Sequence, residues 1–199
     1  MTKKTLALLS GGLDSSVMLM MIKKDRAVTA VFVDRGQSNR NAEQAAARKV
    51  AAHAECQLDE IDVRQWWTPV KGKVAMIDVP RNPLFALLAS PFAAFRQCSE
   101  IAIGSIMDDA KTGDSNKGFV AAFNGMVDAM AMPKVPRMVA PFLDLGWTKP
   151  DVAKWAGANL GNGFIAMTHS CWRQDDPCGA CSACISRAAA LRDAAPEAR

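Results

Sequence analysis

The sequence has no tyrosine and only two histidines in 199 residues, so neither a phenol nor a histidine cluster is available to a site. No apolar run approaches the roughly 18 residues of a membrane-spanning helix. An export signal is also missing: Lys3 and Lys4 precede a short apolar run that Gly11-Gly12-Leu13-Asp14 interrupts too early. A cytoplasmic protein is therefore expected. Charge of one sign is lacking as well. With 24 Lys+Arg against 20 Asp+Glu, the net +4 suits a small anionic ligand but gives no basic footprint for nucleic acid. There is no internal repeat, and no low-complexity stretch beyond an Ala194–Arg199 tail that is expected to fray.

What is present is ordinary globular composition, 50% hydrophobic and 22% charged, long enough to bury a core. Residues 1–199 are expected to form one α/β domain. Thr5–Leu9 is a short apolar run ending in Ser-Gly-Gly, a buried strand entering a turn. A helix is predicted over Asp14–Lys24, a β-branched strand over Ala27–Val33, and an alanine-rich helix over Asn41–His53. Gln57–Val63 alternates as a half-buried strand does. Residues 64–80 carry tryptophans and prolines without a period, so a loop is predicted. Further helices are predicted over Asn82–Gln97 (kinked at Pro91), Lys117–Met130, Thr148–Asn159 and Ser182–Asp193. Strands are predicted over Glu100–Gly104 and Arg137–Val139, with a polar loop over Ser105–Asn116. Alternating strands and helices indicate a parallel, Rossmann-like sheet with helices on both faces.

Ser10-Gly11-Gly12-Leu13-Asp14-Ser15 lies between the first strand and first helix, where an open parallel sheet binds phosphates. Glycines let backbone N–H groups approach an anion, and Ser10 and Ser15 add hydroxyls. Asp14 is expected to cap the helix and help place magnesium. The lysine of a GxxxxGK loop is missing. The segment resembles instead the SGGxDS signature of PP-loop ATP pyrophosphatases, the adenine nucleotide alpha hydrolase-like fold. Expected ATP-binding residues are Leu9, Ser10, Gly11, Gly12, Leu13, Asp14, Ser15 and Ser16, with Phe32 and Asp34 at the end of the second strand. Core packing is the competing account of Phe32.

Six cysteines are present, and four of them cluster: Cys171-x6-Cys178-x2-Cys181-x2-Cys184. Without an export signal, clustered cysteines read as metal ligands rather than disulfides. Four thiolates suit tetrahedral zinc, one per chain, as a structural brace within a zinc-binding segment spanning 168–193. An iron–sulfur cluster is the alternative. His53 and His169 are not expected as ligands, and a nucleic-acid-binding finger is discounted because only Arg173 lies inside the cluster.

Together the two motifs resemble the QueC family of 7-cyano-7-deazaguanine synthases, whose C-terminal segment reads Cys…Cys-Gly-x-Cys-x-x-Cys-x-x-Arg; here it ends in Arg187. Asp34-Arg35-Gly36-Gln37 resembles the family's D-Y-G-Q, and Val79-Pro80-Arg81-Asn82-Pro83-Leu84-Phe85 its V-P-G-R-N-x-x-F. The resemblance implies a homodimer, ATP with magnesium, and adenylation of 7-carboxy-7-deazaguanine. Attack by ammonia then gives the amide, and a second adenylation gives the nitrile of queuosine biosynthesis. It implies catalytic roles for Asp14 and Lys149, with Arg35, Gln37, Arg81, Asn82, Asp109, Lys111 and Asp114 around the substrate. Lys117 reads as a solvated surface charge. Four departures surround the substrate: Arg35 replaces the family's tyrosine, the histidine after Gln37 is missing, the glycine before Arg81 is deleted, and Lys111–Asn116 replaces G-Y-P-D-C-R. Asp114 retains the aspartate there, placed to accept from a guanine-like edge; a helix cap through the turn at Asn116 is the competing account.

Three further readings stand beside the first. The enzyme could stop at the amide or couple a deazaguanine to an amine of a partner protein, as in an anti-phage or modification operon. It could modify tRNA, although neither a catalytic cysteine near the loop nor a basic extension is present. It could be a zinc module that merely binds nucleotide.

Overall fold

Strands covered on both faces must be apolar almost throughout, and the central ones here are. A computed structural model describes residues 2–67, 80–131 and 134–194. It contains β1 (Lys4–Leu8), β2 (Ala27–Asp34), β3 (Leu58–Asp62), β4 (Glu100–Ala102) and β5 (Arg137–Val139). They form one five-stranded parallel sheet in the order β3-β2-β1-β4-β5. Side chains alternate between the faces. Leu6, Val31 and Ile101 turn toward one face, and Ala7, Ala30, Phe32 and Ala102 toward the other. Phe32 is thus core, 1% exposed, and only its backbone is left to face a nucleoside.

The second of those faces carries α1 (Leu13–Ile22), α2 (Arg40–His53), α7 (Lys149–Asn159), α8 (Gly161–Met167) and α9 (Ser182–Asp193). The first carries α4 (Arg81–Phe95) and α5 (Lys117–Met130). The remaining helices are short: α3 (Arg64–Trp67) and α6 (Pro141–Leu145). Local signals explain the boundaries. Asn116 caps α5 by accepting from the Phe119 amide at 2.8 Å. Thr148 and Asp151 form a capping box on α7. Gly146, at φ +71°, ends α6.

Two short helices differ from the sequence reading. Residues 64–67 are helical where a loop is predicted; residues 68–79 of that loop lie outside the described residues, as does 195–199 of the tail. Helix α8 starts at Gly161, whose φ of +77° makes the turn out of α7, and forms despite Gly163 because Phe164 and Ile165 bury themselves in the main core, which outweighs the roughly 1 kcal/mol that a glycine costs a helix interior. Among the described residues no helix is long and apolar enough to cross a membrane.

Since β1 connects outward to β2 on one side and pairs with β4 on the other, the connections diverge above the carboxyl end of β1. That crevice is where open α/β sheets bind ligands. Its depth depends on Gly104, just past β4: a Cβ there would sit 2.9 Å from both Cα and N of Ser15. Replacing Gly104 with alanine should therefore push the first turn of α1 away from the sheet. We expect Gly104→Ala to lower the unfolding free energy by about 1–3 kcal/mol, read as a lower urea midpoint with unchanged slope. An unshifted midpoint would show that α1 does not sit this close.

Candidate active site and metal centre

The loop between β1 and α1 is shaped by close packing. Gly11 adopts φ +77°, and a Cβ on it would lie 2.4 Å from the Glu43 carbonyl oxygen and 2.8 Å from the Ala47 nitrogen of α2. Leu9 and Leu13 anchor the loop in the core on either side. Ser10 and Ser15 place their hydroxyls 3.0 Å apart, and the Gly12 amide donates to Ser10 Oγ at 3.3 Å. The N-cap of α1 is Gly12, without a capping side chain. The expectation that Asp14 caps α1 is thus corrected, and the amides of the first turn are left to an anion. Ser16 is fully buried, its hydroxyl without a protein partner.

Asp14 is committed elsewhere. Its Oδ2 pairs with Lys149 Nζ, and both side chains are largely buried. Its Oδ1 is buried with no partner. A buried orphan carboxylate oxygen beside an anion-binding loop fits a hard divalent cation arriving with phosphates. Lys149 is fixed from its own backbone: its amide donates to Asp108 Oδ2 at 2.6 Å, and the Met107 amide donates to Trp147 O at 2.8 Å. These bonds dock the single 3-10 turn Met107–Asp109 against the start of α7. Burial, and next the charge of Asp14, push the Asp109 carboxyl above its ordinary pKa.

Around the end of β2 the structure brings the expected residues together but gives some of them structural duties. Asp34 accepts from the Gly36 amide at 2.9 Å, and its other oxygen pairs with Arg40, with Arg64 3.7 Å away. The Gln37 side chain accepts from the Arg35 amide at 3.2 Å and donates to Glu43 at 2.7 Å. Arg35 is held near Arg81 and Glu43; burial and the Arg81 charge pull its pKa down. Asp114 Oδ2 accepts from the amides of Arg81 (2.8 Å) and Asn82 (3.0 Å), while Asn82 Nδ2 donates to Asp114 O at 2.6 Å. Asp114 therefore caps α4 across the crevice, whereas the cap on α5 comes from Asn116. Lys111 and Lys117 are exposed.

The four clustered cysteines do converge, with all four Sγ atoms within 4.8 Å of one another. Sulfurs about 2.3 Å from one tetrahedral ion stand about 3.8 Å apart, so the set fits a single zinc. Amides support the thiolates, as outer-shell donors do: those of Cys178, Arg173 and Gln174 reach Cys171. The amide of Trp172 foremost holds Cys181 down to about 6, while burial pushes Cys184 up to about 11. Gly179, at φ +68°, makes the turn between the second and third ligands.

Several residues of the site carry no local signal in the sequence. Asn39, Glu43, Asp108 and His169 act through partners distant in sequence, and Arg187 appears there only as the end of a motif. Arg187 donates to Ile165 O (2.7 Å), Thr168 Oγ1 (2.7 Å) and Ser170 Oγ (3.1 Å). Burial pulls its pKa down and the nearby Asp14 charge raises it. A cavity of about 420 Å³ lined by Cys98, Ser99, Lys134 and Arg137 opens at the amino end of β4 and β5, away from this crevice.

The family model described as "Queuosine biosynthesis protein QueC" matches residues 4–76 and 70–195. Among curated proteins, the 7-cyano-7-deazaguanine synthase of Aquifex aeolicus is 32% identical over 94% of this chain and 95% of its own length. That of Stutzerimonas stutzeri is 31% identical over 96% and 95%, and that of Methanothermobacter thermautotrophicus 27% over 92% of each. Two solved structures share the fold. The U34-tRNA thiolase NcsA of Methanococcus maripaludis, with its [4Fe-4S] cluster, superposes with TM-score 0.61 and 16% identity; the match covers 96% of this chain and 65% of that one. A predicted tRNA methyltransferase subunit from Methanocaldococcus jannaschii gives TM-score 0.56, 15% identity, and coverage of 78% and 74%. At those identities the likeness is one of fold alone.

The position of Asp114 has a measurable consequence. Because its carboxylate satisfies two amides at the start of α4, Asp114→Ala should lower stability by about 0.5–2 kcal/mol before any ligand is added. Equilibrium urea unfolding checks this. Unchanged stability would leave the residue with a role in ligand binding alone.

Proposed function

The chain belongs to the QueC family, and from that premise we propose that it is an ATP-dependent carbon–nitrogen ligase acting on a 7-deazaguanine carboxylate. The observation that carries the reading is the Asp14–Lys149 pair at the mouth of the phosphate loop, with the unpartnered Asp14 oxygen beside it. In the first step the substrate carboxylate oxygen attacks the α-phosphorus of ATP and pyrophosphate leaves. Loop amides and Lys149 hold the phosphate oxygens as charge builds on them. Magnesium, held by Asp14, would neutralise phosphate charge when bound. Ammonia then attacks the carboxyl carbon: the C–N bond forms, the C–O bond to AMP breaks, and a proton is lost to solvent. In a second round the amide oxygen attacks the α-phosphorus of ATP as pyrophosphate leaves, and loss of AMP and of both N–H protons leaves the nitrile. Activation is needed because a carboxylate or amide is a poor electrophile until AMP makes its oxygen a good leaving group.

Arg35, Gln37, Arg81, Asn82, Asp109, Lys111 and Asp114 form the rim we assign to the deazaguanine, with Asp34 and Gln37 shaping that rim through their own hydrogen bonds. One zinc per chain, a homodimer and a cytoplasmic setting complete the reading. One observation favours a variant of it. By the family resemblance Arg35 stands where the family has tyrosine, and here it feels the charges of Arg81 and Glu43, which supports an acceptor unlike that of the relatives. A product that stops at the amide, or a conjugate to an amine on a partner protein, belongs to that variant.

Two measurements test the proposal. With 7-carboxy-7-deazaguanine, ATP and ammonia, the products should be AMP and pyrophosphate, and Asp14→Ala should abolish their release while the circular dichroism spectrum stays native. Release of ADP and phosphate would refute the chemistry. Elemental analysis should find about one zinc per chain, lost in Cys178→Ser; iron with acid-labile sulfide in its place would assign the thiolates to a cluster.

A further inference from the structure

Asn39 is the N-cap of α2, a position at which asparagine ordinarily turns its side chain back onto its own helix. Here it makes no such bond. Its amide instead reaches the carbonyl of Cys171, 132 residues along the chain, at 2.5 Å, and the residue is 2% exposed. The same side chain bonds the buried carboxylate of Glu43. Glu43 belongs to the turn of α2 whose carbonyl leaves Gly11 no room for a Cβ. On its other side Gly11 is held by the segment leading to Cys171: the His169 amide donates to Gly11 O at 2.8 Å. Gly11 is thus gripped between α2 and residues 169–171, and Asn39 pins those two together.

The metal ligands continue this frame. Cys171 begins the cysteine segment, and Cys181 and Cys184 stand at the start of α9, with Cys181 as its N-cap. An ion bound by all four thiolates fixes Cys171 relative to α9. From that helix Arg187 holds Ile165, Thr168 and Ser170, which bracket His169. Ser38 and Asp175 add contacts between the same two segments: Ser38 Oγ to Trp172 O at 3.2 Å, and the Ala42 amide to Asp175 at 3.0 Å.

We propose that the four-cysteine centre and the phosphate loop are thermodynamically coupled, and that Asn39 is the positioning residue joining them. The inference rests on the reading that the loop binds ATP. Ordering the cysteine segment orients the Gly11 carbonyl toward His169, which leaves the following amides facing the anion. Linkage makes the effect reciprocal: if metal tightens nucleotide, nucleotide must tighten metal by the same factor.

The test measures zinc affinity by competition with a chromogenic chelator, with and without saturating magnesium and an ATP analogue carrying a methylene between its α and β phosphates. In the wild type we expect the analogue to tighten zinc by about tenfold, the middle of the usual coupling range. Calorimetry should show the analogue binding the zinc-loaded chain tighter than the stripped chain by the same factor. Asn39→Ser keeps an N-cap but cannot reach Cys171, and should bring the factor close to one while both ligands still bind. A factor of one in the wild type overturns the coupling, and a full factor in Asn39→Ser overturns the role of Asn39. If the zinc-loaded wild type binds no analogue, the nucleotide reading fails separately, and amide exchange decides the coupling. Stripping zinc should then speed exchange of the His169 amide at least tenfold while β1 amides stay protected; unchanged exchange at His169 overturns it.

Discussion

The absence of space at Gly11 is the constraint on which the rest of the carboxyl edge depends. A side chain there would run into the backbone of α2 at 2.4 Å. The loop and helix are therefore in direct backbone contact, and the loop has no side-chain buffer with which to adjust. Its left-handed conformation turns the Gly11 carbonyl away from the crevice, where His169 accepts the duty of pairing it. Positive φ, close packing and an external hydrogen bond together fix the amides at the start of α1, and amides fixed at a helix start are suited to an anion. Gly104 repeats the constraint from below, where α1 lies against the end of β4.

Charge is arranged around that rigid loop so that most carboxylates are already spoken for. Asp34 holds the turn after β2, Asp108 the start of α7, and Asp114 the start of α4. Each satisfies backbone amides that would otherwise be costly to leave unpaired. Their placement is as mechanical as it is electrostatic: Asp108 presents Lys149, and Asp114 presents Arg81 and Asn82. Asp14 differs because one of its oxygens is paired and the other is buried without a protein partner. An orphan of that kind is costly unless something supplies the missing partner, and on the proposed reading that partner is the cation that arrives with the phosphates.

The glycine loop after β1 and the cysteine cluster were legible as features of the sequence because each is local. Ser10–Ser15 is a strand–turn–helix junction with consecutive glycines, and four cysteines within fourteen positions leave few readings. The strands were legible because two-sided burial makes Thr5–Leu9 and Ala27–Val33 apolar runs. What escaped is what depends on distant partners. Helix α8 looks unfavourable through Gly163 until the core that takes Phe164 is known. Asp114 reads as a ligand residue or a cap for α5, since nothing nearby in sequence says that the start of α4 needs a carboxylate. Asn39 and Glu43 stand at the start of an ordinary alanine-rich helix, and their partners include Cys171 and the loop at Gly11.

The departures from the family pattern follow the same division. The loop, the Lys149 partner and the thiolates lie on segments that pack against one another, where one substitution disturbs several backbone contacts. Arg35 and residues 111–116 lie across the crevice, where side chains project from turns and Lys111 is already in solvent. Arg35 places a half-buried cation within reach of the Arg81 charge, a repulsion that negative charge relieves. Glu43 supplies part of that charge. Holding two guanidiniums together in a half-buried place is costly without an anion, whereas a neutral phenol at the same position carries no such demand. The geometry around the β1–α1 loop is thus set by backbone packing, whereas the opposite wall is set by side chains that project from turns.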